Sequence, residues 1–236
     1  FTTKVIKKFL GVIWELKGPL PSAGDFFKLM KKHGKTVNYV SNNSLRPQSN
    51  YEKNFKDAEF PFIFQENLTI PSIAIAEYLK SINFEKTVYC VSCLETINVL
   101  ESYGLKCDHG VKRFYTEYVK FLKDDPEIGA VVFDSDFKIN IPKLYRASTY
   151  LSRPDVHFLN GATDKYVPLK HGHLAIGTGA FTDLVVEQVK REAIQLGKPG
   201  KMFGEFAMKR AGRVPAYTTR ATKDIANILK IIIILK

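Results

Sequence analysis

The chain has 236 residues, of which 45% are hydrophobic and 25% charged, and it carries a formal charge of +11. That length holds one large domain or a core with a smaller insert, and the composition excludes a disordered or fibrous chain. No apolar run reaches the roughly 18 to 20 residues of a membrane span, and three cysteines exclude a disulfide scaffold.

Strand-like and helix-like patterns alternate, which predicts an α/β domain with a mostly parallel sheet. Val5 to Leu10 reads as the first strand. Ala23 to His33 reads as a helix closed by Gly34. It ends in Lys31-Lys32-His33, where cations suit the helix dipole. Val37 to Val40 is the second strand, followed by a polar loop that contains Pro47. Ile73 to about Ile82 is a helix with Ile75, Tyr78, Leu79 and Ile82 on one face.

A second α/β unit then begins. Thr87 to Val91 is a strand, Leu94 to Tyr103 a helix closed by Gly104, and Ala130 to Phe133 a strand. Ile141 to Leu151 is a helix and His157 to Asn160 a short strand. The chain returns through Pro168-Leu169 to Gly177-Thr178-Gly179, which opens a helix running to about Leu196. Gly197-Lys198-Pro199 ends that helix. Val214 to Tyr217 and Ile231 to Leu235 are the last strands; the short β-branched run reads as a buried parallel strand.

Four local patterns have both a chemical and a structural reading. Cys90-x-x-Cys93 lies in an apolar run without a second ligand pair, so buried structural thiols are expected rather than zinc. His171 and His173 lack a third ligand and read as a polar loop. Gly177-Thr178-Gly179 could place an anion at a helix start, although a tight turn is the expected role. Asp134-Ser135-Asp136 ends an apolar strand, but no hydroxyl-bearing strand follows at the usual distance, so no catalytic role is expected.

The opening of the chain carries the functional signal. Lys8-Phe9-Leu10-Gly11-Val12-Ile13-Trp14 precedes Gly18-Pro19-Leu20-Pro21-Ser22-Ala23-Gly24, and Val40-Ser41-Asn42-Asn43-Ser44 ends the second strand. This order resembles the haloacid dehalogenase-type phosphatases, in the p-nitrophenylphosphatase, phosphoglycolate phosphatase and pyridoxal-phosphate phosphatase branch. The resemblance spans nearly the whole chain. It implies a Rossmann-like core of mostly parallel sheet over residues 1–84 and 168–236, with an inserted α/β cap of the C2 type over 85–167. It also implies that the first strand should end in Asp-x-Asp-Gly-Val-Leu-Trp. The first aspartate would attack phosphorus and the second, two residues on and facing the same way, would move protons.

Here Lys8 stands at the nucleophile position and Leu10 at the acid/base position. Ser41 and Asn42 match the phosphate-binding turn, and Lys198 in Gly197-Lys198-Pro199 matches the phosphate-binding lysine. At the metal motif Thr219 replaces the first acid, while Asp224 matches the second. An ion pair between Lys8 and Asp224 is expected in place of a metal. Between Arg210 and Arg213, and between Ile225 and Ile231, the chain is shorter than the family pattern. A parallel crossover takes about a dozen residues or more. Either these are deletions or residues are absent from the sequence, and absent residues are the expected explanation.

The combined expectation is a catalytically inactive phosphatase homologue acting as a binding, regulatory or structural protein. A phosphate or phosphometabolite sensor, and a residual magnesium-dependent phosphomonoester hydrolase, are the alternatives. No cofactor is expected, magnesium only under the hydrolase alternative. A protein partner is expected, as a homodimer or heteromer through the cap, whereas the dispersed positive charge fits nucleic acid poorly. No membrane association and a reducing, cytoplasmic location are expected from the cysteine usage and the lack of a visible signal peptide. A chain that begins with Phe1 rather than Met is expected to lack its true start.

Overall fold

The computed structural model describes residues 14–15, 18–19, 23–33, 38–45, 47–57, 68–109, 123–161, 164–168 and 173–211. Two compact units divide the chain: residues 1–42, 46–70 and 198–236 form one, and 43–45 and 71–197 the other. The cap drawn from the sequence at 85–167 lies wholly inside the second unit, whose limits are wider on both sides. The expected first strand and the expected strands after Val214 lie outside the described residues.

In the first unit, β1 (Trp14–Glu15) pairs antiparallel with β2 (Gly18–Pro19). Helix α1 (Ala23–Lys32) follows the prediction, with Asp25 in its first turn and Lys31 and Lys32 in its last. Strand β3 (Tyr39–Val40) is continued by α2 (Gln48–Asp57) and then by β4 (Leu68–Thr69), which runs parallel to β3. Helix α2 replaces the polar loop expected after Pro47. Its two aromatic residues, Tyr51 and Phe55, lie one turn apart and are both buried. The Phe55 ring packs on Tyr39 with centroids 4.6 Å apart. Two residues are too few to register as a periodic stripe, so the helix rests on packing that a local reading misses.

The second unit opens with α3 (Pro71–Ser81), slightly earlier than predicted. Asn83 ends it in the left-handed region, with the Phe84 and Asn83 N–H groups donating to Leu79 and Lys80 carbonyls. Strand β5 (Thr87–Val91) matches the prediction residue for residue. Helix α4 (Leu94–Ser102) is closed by Gly104 at φ 78°, with Leu105 N–H donating to Leu100 O at 3.2 Å. A side chain at position 104 would be strained there.

The next elements are β6 (Lys106–His109), β7 (Ile128–Phe133), α5 (Ile141–Leu151) and β8 (His157–Asn160). Strand β6 went unpredicted because its residues are polar and it sits at a sheet edge. Helix α5 and β8 match their predicted spans, and Asn140 caps α5 by accepting from the Lys143 N–H at 3.1 Å. An antiparallel hairpin, β9 (Tyr166–Pro168) with β10 (Leu174–Ile176), occupies the stretch expected only as a return.

Helix α6 (Thr178–Val189) stops short of the predicted Leu196, and β11 (Ile194–Gln195) follows, paired in parallel with β8. Lys190 ends the helix in the left-handed region at φ 56°. The Arg191 guanidinium then donates to the carbonyls of Leu151, Arg153 and Val156 at 3.0, 2.7 and 2.7 Å. Those bonds pin the turn, although the apolar spacing would allow another helical turn. Back in the first unit, α7 (Lys201–Arg210) buries Phe203, Gly204 and Ala207.

The sheet of the second unit runs β11-β8-β7-β5-β6, with every neighbouring pair parallel. Its β7 is buried along its whole length, as expected for a strand covered on both faces. Tyr89, Val131, Phe133, Tyr150, Leu151 and Phe158 belong to the core on one side of it. Winding reverses between β5 and β7, so the carboxyl ends of these two strands flank a topological switch point. No helix among the described residues is long and apolar enough to cross a membrane.

Candidate anion-binding site

Strand β3 ends where the phosphate-binding turn was predicted. Tyr39 and Val40 are buried and paired opposite Leu68 and Thr69 of β4, which fixes the direction of the strand. The Ser41 N–H continues that ladder by donating to Thr69 O at 3.0 Å. Ser41 itself is buried.

Asn42 reaches a residue far away in the chain. Its Nδ2 donates to the Lys198 carbonyl at 2.9 Å, and its Oδ1 accepts the Lys198 N–H at 2.6 Å. The Lys198 ammonium lies 3.4 Å from the Val40 carbonyl oxygen, at the end of β3. Lys198 precedes a cis peptide bond to Pro199, and Gly200 then starts α7. Val40, Asn42, Lys198, Pro199 and Gly200 all lie in the first unit. The fold thus brings Ser41, Asn42 and Lys198 to one strand end. A hydroxyl, an amide and an ammonium there are donors suited to an oxyanion such as phosphate.

The Val40 carbonyl could not be anticipated, because a main-chain group carries no residue signature. Lys8, Leu10, Thr219 and Asp224, and with them the expected Lys8–Asp224 ion pair, lie outside the described residues.

The other local patterns have structural partners. Asp134 is fully buried at the carboxyl end of β7, where its Oδ2 accepts the Thr96 hydroxyl at 2.8 Å. Thr96 is in the first turns of α4, so this bond ties the helix start to β7 across the switch point. A Cβ at Gly161 would come within 2.9 Å of both Asp134 Cγ and Pro71 Cβ, which explains the glycine. Asp136 pairs with Lys143 at 2.6 Å and accepts the Lys138 N–H at 2.7 Å. Thr96 and Lys143 carried no signal in the sequence, since their partners lie 38 and 7 residues away in a fold not yet known.

Cys90 is buried, and the Cys93 thiol donates to Ser44 O at 3.6 Å. Burial pushes both thiols above their ordinary pKa; for Cys90 the neighbouring Cys107 thiol is the larger cause. At the start of α6, the N–H groups of Gly177 and Gly179 donate to Lys165 and Asp164 carbonyls, so the turn is closed on its own chain. His173 precedes β10, and His171 lies outside the described residues.

Comparison with known proteins agrees with the fold and with the resemblance. Residues 8–106 match the family described as haloacid dehalogenase-like hydrolase. Phosphoglycolate phosphatase 2 of Arabidopsis thaliana is 27% identical over 209 residues, covering 86% of this chain and 69% of the relative. The chain is thus similar to the haloacid dehalogenase-like hydrolases, and the relatives it matches include proteins named as phosphoglycolate phosphatase and 4-nitrophenylphosphatase. A Caenorhabditis elegans protein named as a NipSnap protein is 30% identical over 221 residues. That match covers 88% of this chain and 42% of the worm protein, so the chain spans less than half of that relative's length. The p-nitrophenyl phosphatase from Archaeoglobus fulgidus shares the fold, with a TM-score of 0.72 at 21% identity over 88% of this chain and 73% of its own.

Proposed function

We propose that this haloacid dehalogenase-like protein is a catalytically inactive phosphatase homologue that holds a phosphate group and acts as a binding or regulatory protein. The observation that carries the reading is the Ser41–Asn42–Lys198 constellation, in a chain that has Lys8 and Leu10 where the family resemblance calls for two aspartates. An ammonium at the attacking position offers no carboxylate to form an aspartyl-phosphate, and a leucine has no proton to move.

The magnesium implied by the family does not fit the available donors. Mg²⁺ wants an octahedron of hard oxygens, including carboxylates. The corresponding residues here are Lys8, Leu10, Thr219 and Asp224, a set with one carboxylate. A charged Lys8 about 4 Å from a divalent cation would repel it by roughly 8 kcal/mol at an effective dielectric near 20.

A second reading, magnesium-dependent hydrolysis of a phosphomonoester, draws support from the names of the relatives, such as phosphoglycolate phosphatase 2. Two measurements on the purified full chain separate the readings. Calorimetry with phosphate, phosphoglycolate and pyridoxal phosphate is expected to show binding that Lys198→Ala weakens. A p-nitrophenyl phosphate assay with Mg²⁺ is expected to show no turnover above a Ser41→Ala control. Turnover lost in that control would overturn the inactive reading, and no binding of any of the three ligands would overturn the phosphate-holding one. A protein partner belongs to the same proposal. Affinity capture followed by cross-linking should recover a reproducible contact on residues 85–167, and contacts confined elsewhere would contradict it.

A further inference from the structure

We infer that Asn42 is a positioning residue for Lys198, acting on anion binding through the lysine rather than as a principal ligand. This rests on the reading of the strand end as a phosphate-holding site. The Asn42 amide bonds to both main-chain polar groups of one residue: Oδ1 takes the Lys198 N–H at 2.6 Å, and Nδ2 gives to the Lys198 carbonyl at 2.9 Å. A side chain that exchanges both bonds with one residue mimics a neighbouring strand. The two bonds join residues 156 positions apart in the chain.

The geometry has two consequences. The Lys198 main chain is held against the end of β3, so its flexible side chain starts from a fixed Cα and its ammonium rests 3.4 Å from Val40 O. Holding the backbone in advance removes part of the ordering cost of anion capture. Asn42 also has its carbonyl oxygen facing a donor and one of its two amide N–H groups engaged, which leaves a single N–H for an anion. Any further bond from this amide to a ligand would have to break one to Lys198.

A double-mutant cycle with inorganic phosphate tests this on the full chain. Lys198→Ala keeps the main-chain N–H and carbonyl that Asn42 binds, and removes the ammonium. Loss of a pair of bonds of this kind predicts that Asn42→Ala weakens phosphate about five- to tenfold. In the Lys198→Ala background the same change is expected to have less than about a twofold effect, because the group it positions is already gone. An equal loss in both backgrounds would make Asn42 a direct ligand and overturn the inference. Hydrogen exchange supplies a readout independent of phosphate: the Lys198 amide should exchange at least about tenfold faster in Asn42→Ala. Unchanged exchange would also overturn the inference. If the parent chain binds no phosphate, the functional reading fails, while exchange at Lys198 still decides whether the clamp exists. Should Asn42→Ala fail to fold, Asn42→Ser is short enough to lose both bonds and is judged by the same outcomes.

Discussion

Removing the ammonium of Lys143 tests how the Asp-x-Asp of the second unit is used. Lys143 Nζ lies 2.6 Å from Asp136 Oδ2, and the two side chains are 10% and 3% exposed. The Asp136 carboxylate also accepts the Lys138 N–H at 2.7 Å, while the Asp136 N–H donates to the Thr178 hydroxyl at 3.3 Å. Lys143→Met keeps the length of the side chain and leaves a buried carboxylate without its counter-charge. That costs about 3–5 kcal/mol. At about 2–4 °C per kcal/mol for a chain of this size, the melting temperature should fall by about 6–20 °C. Asp136→Asn should cost less, about 1–3 kcal/mol, because the amide still accepts from Lys138 and the long lysine stem lets its head turn to water. Urea and thermal unfolding of both variants give the order. The gap between parent and Lys143→Met should persist at about 1 M NaCl, since a buried pair is screened far less than a surface one. A Lys143→Met variant within about 0.5 kcal/mol of the parent, or a gap abolished by salt, would refute the assignment of this pair to structure.

Other consequences follow from the same contacts. Arg191→Ala removes donors from three main-chain carbonyls and should destabilise the chain by about 2–4 kcal/mol in urea titrations. Arg191→Lys should restore only part of that, because one ammonium cannot match the fork of a guanidinium; full recovery would contradict the turn-pinning role. Thr96→Val should cost about 1.5–3 kcal/mol by leaving Asp134 without its hydroxyl donor, with Thr96→Ser close to the parent; equal losses in both would point to packing instead. His157 packs edge-on to Tyr78 and Phe84, and burial, aided by Arg191, lowers its pKa below the ordinary value. The unfolded imidazole, near pH 6.5, therefore takes a proton before the folded one does. The His157 contribution is complete above about pH 6.5 and declines as pH falls below it. His157→Phe should flatten the loss of stability between about pH 7 and pH 5; an unchanged slope would assign that loss to other groups.

Much of the architecture is legible in residue order because its causes are local. Thr87–Val91, Ile141–Leu151 and His157–Asn160 form the elements that their apolar patterns predict. Gly104 closes α4 because an αL position favours glycine. Where the reading failed, a distant partner was decisive. Phe55 anchors α2 by meeting Tyr39, and Arg191 halts α6 by reaching carbonyls around residues 151–156. A polar edge strand such as β6 likewise has no apolar alternation to reveal it.

The candidate site divides along the same line. Lys8 and Leu10 near the head of the chain, and Ser41, Asn42 and Lys198 further on, are identities that residue order alone supplies. Folding adds the neighbours. A linear reading could assign Asn42 to the anion, but could not find that its amide faces the main chain of a residue 156 positions later. Nor could it find that Asp134 meets Thr96, while Asp136 meets Lys143. Residue types set which bonds are chemically available. Chain reversal and packing select which of them form, because hydrogen-bond energy depends on distances that spacing along a sequence does not encode.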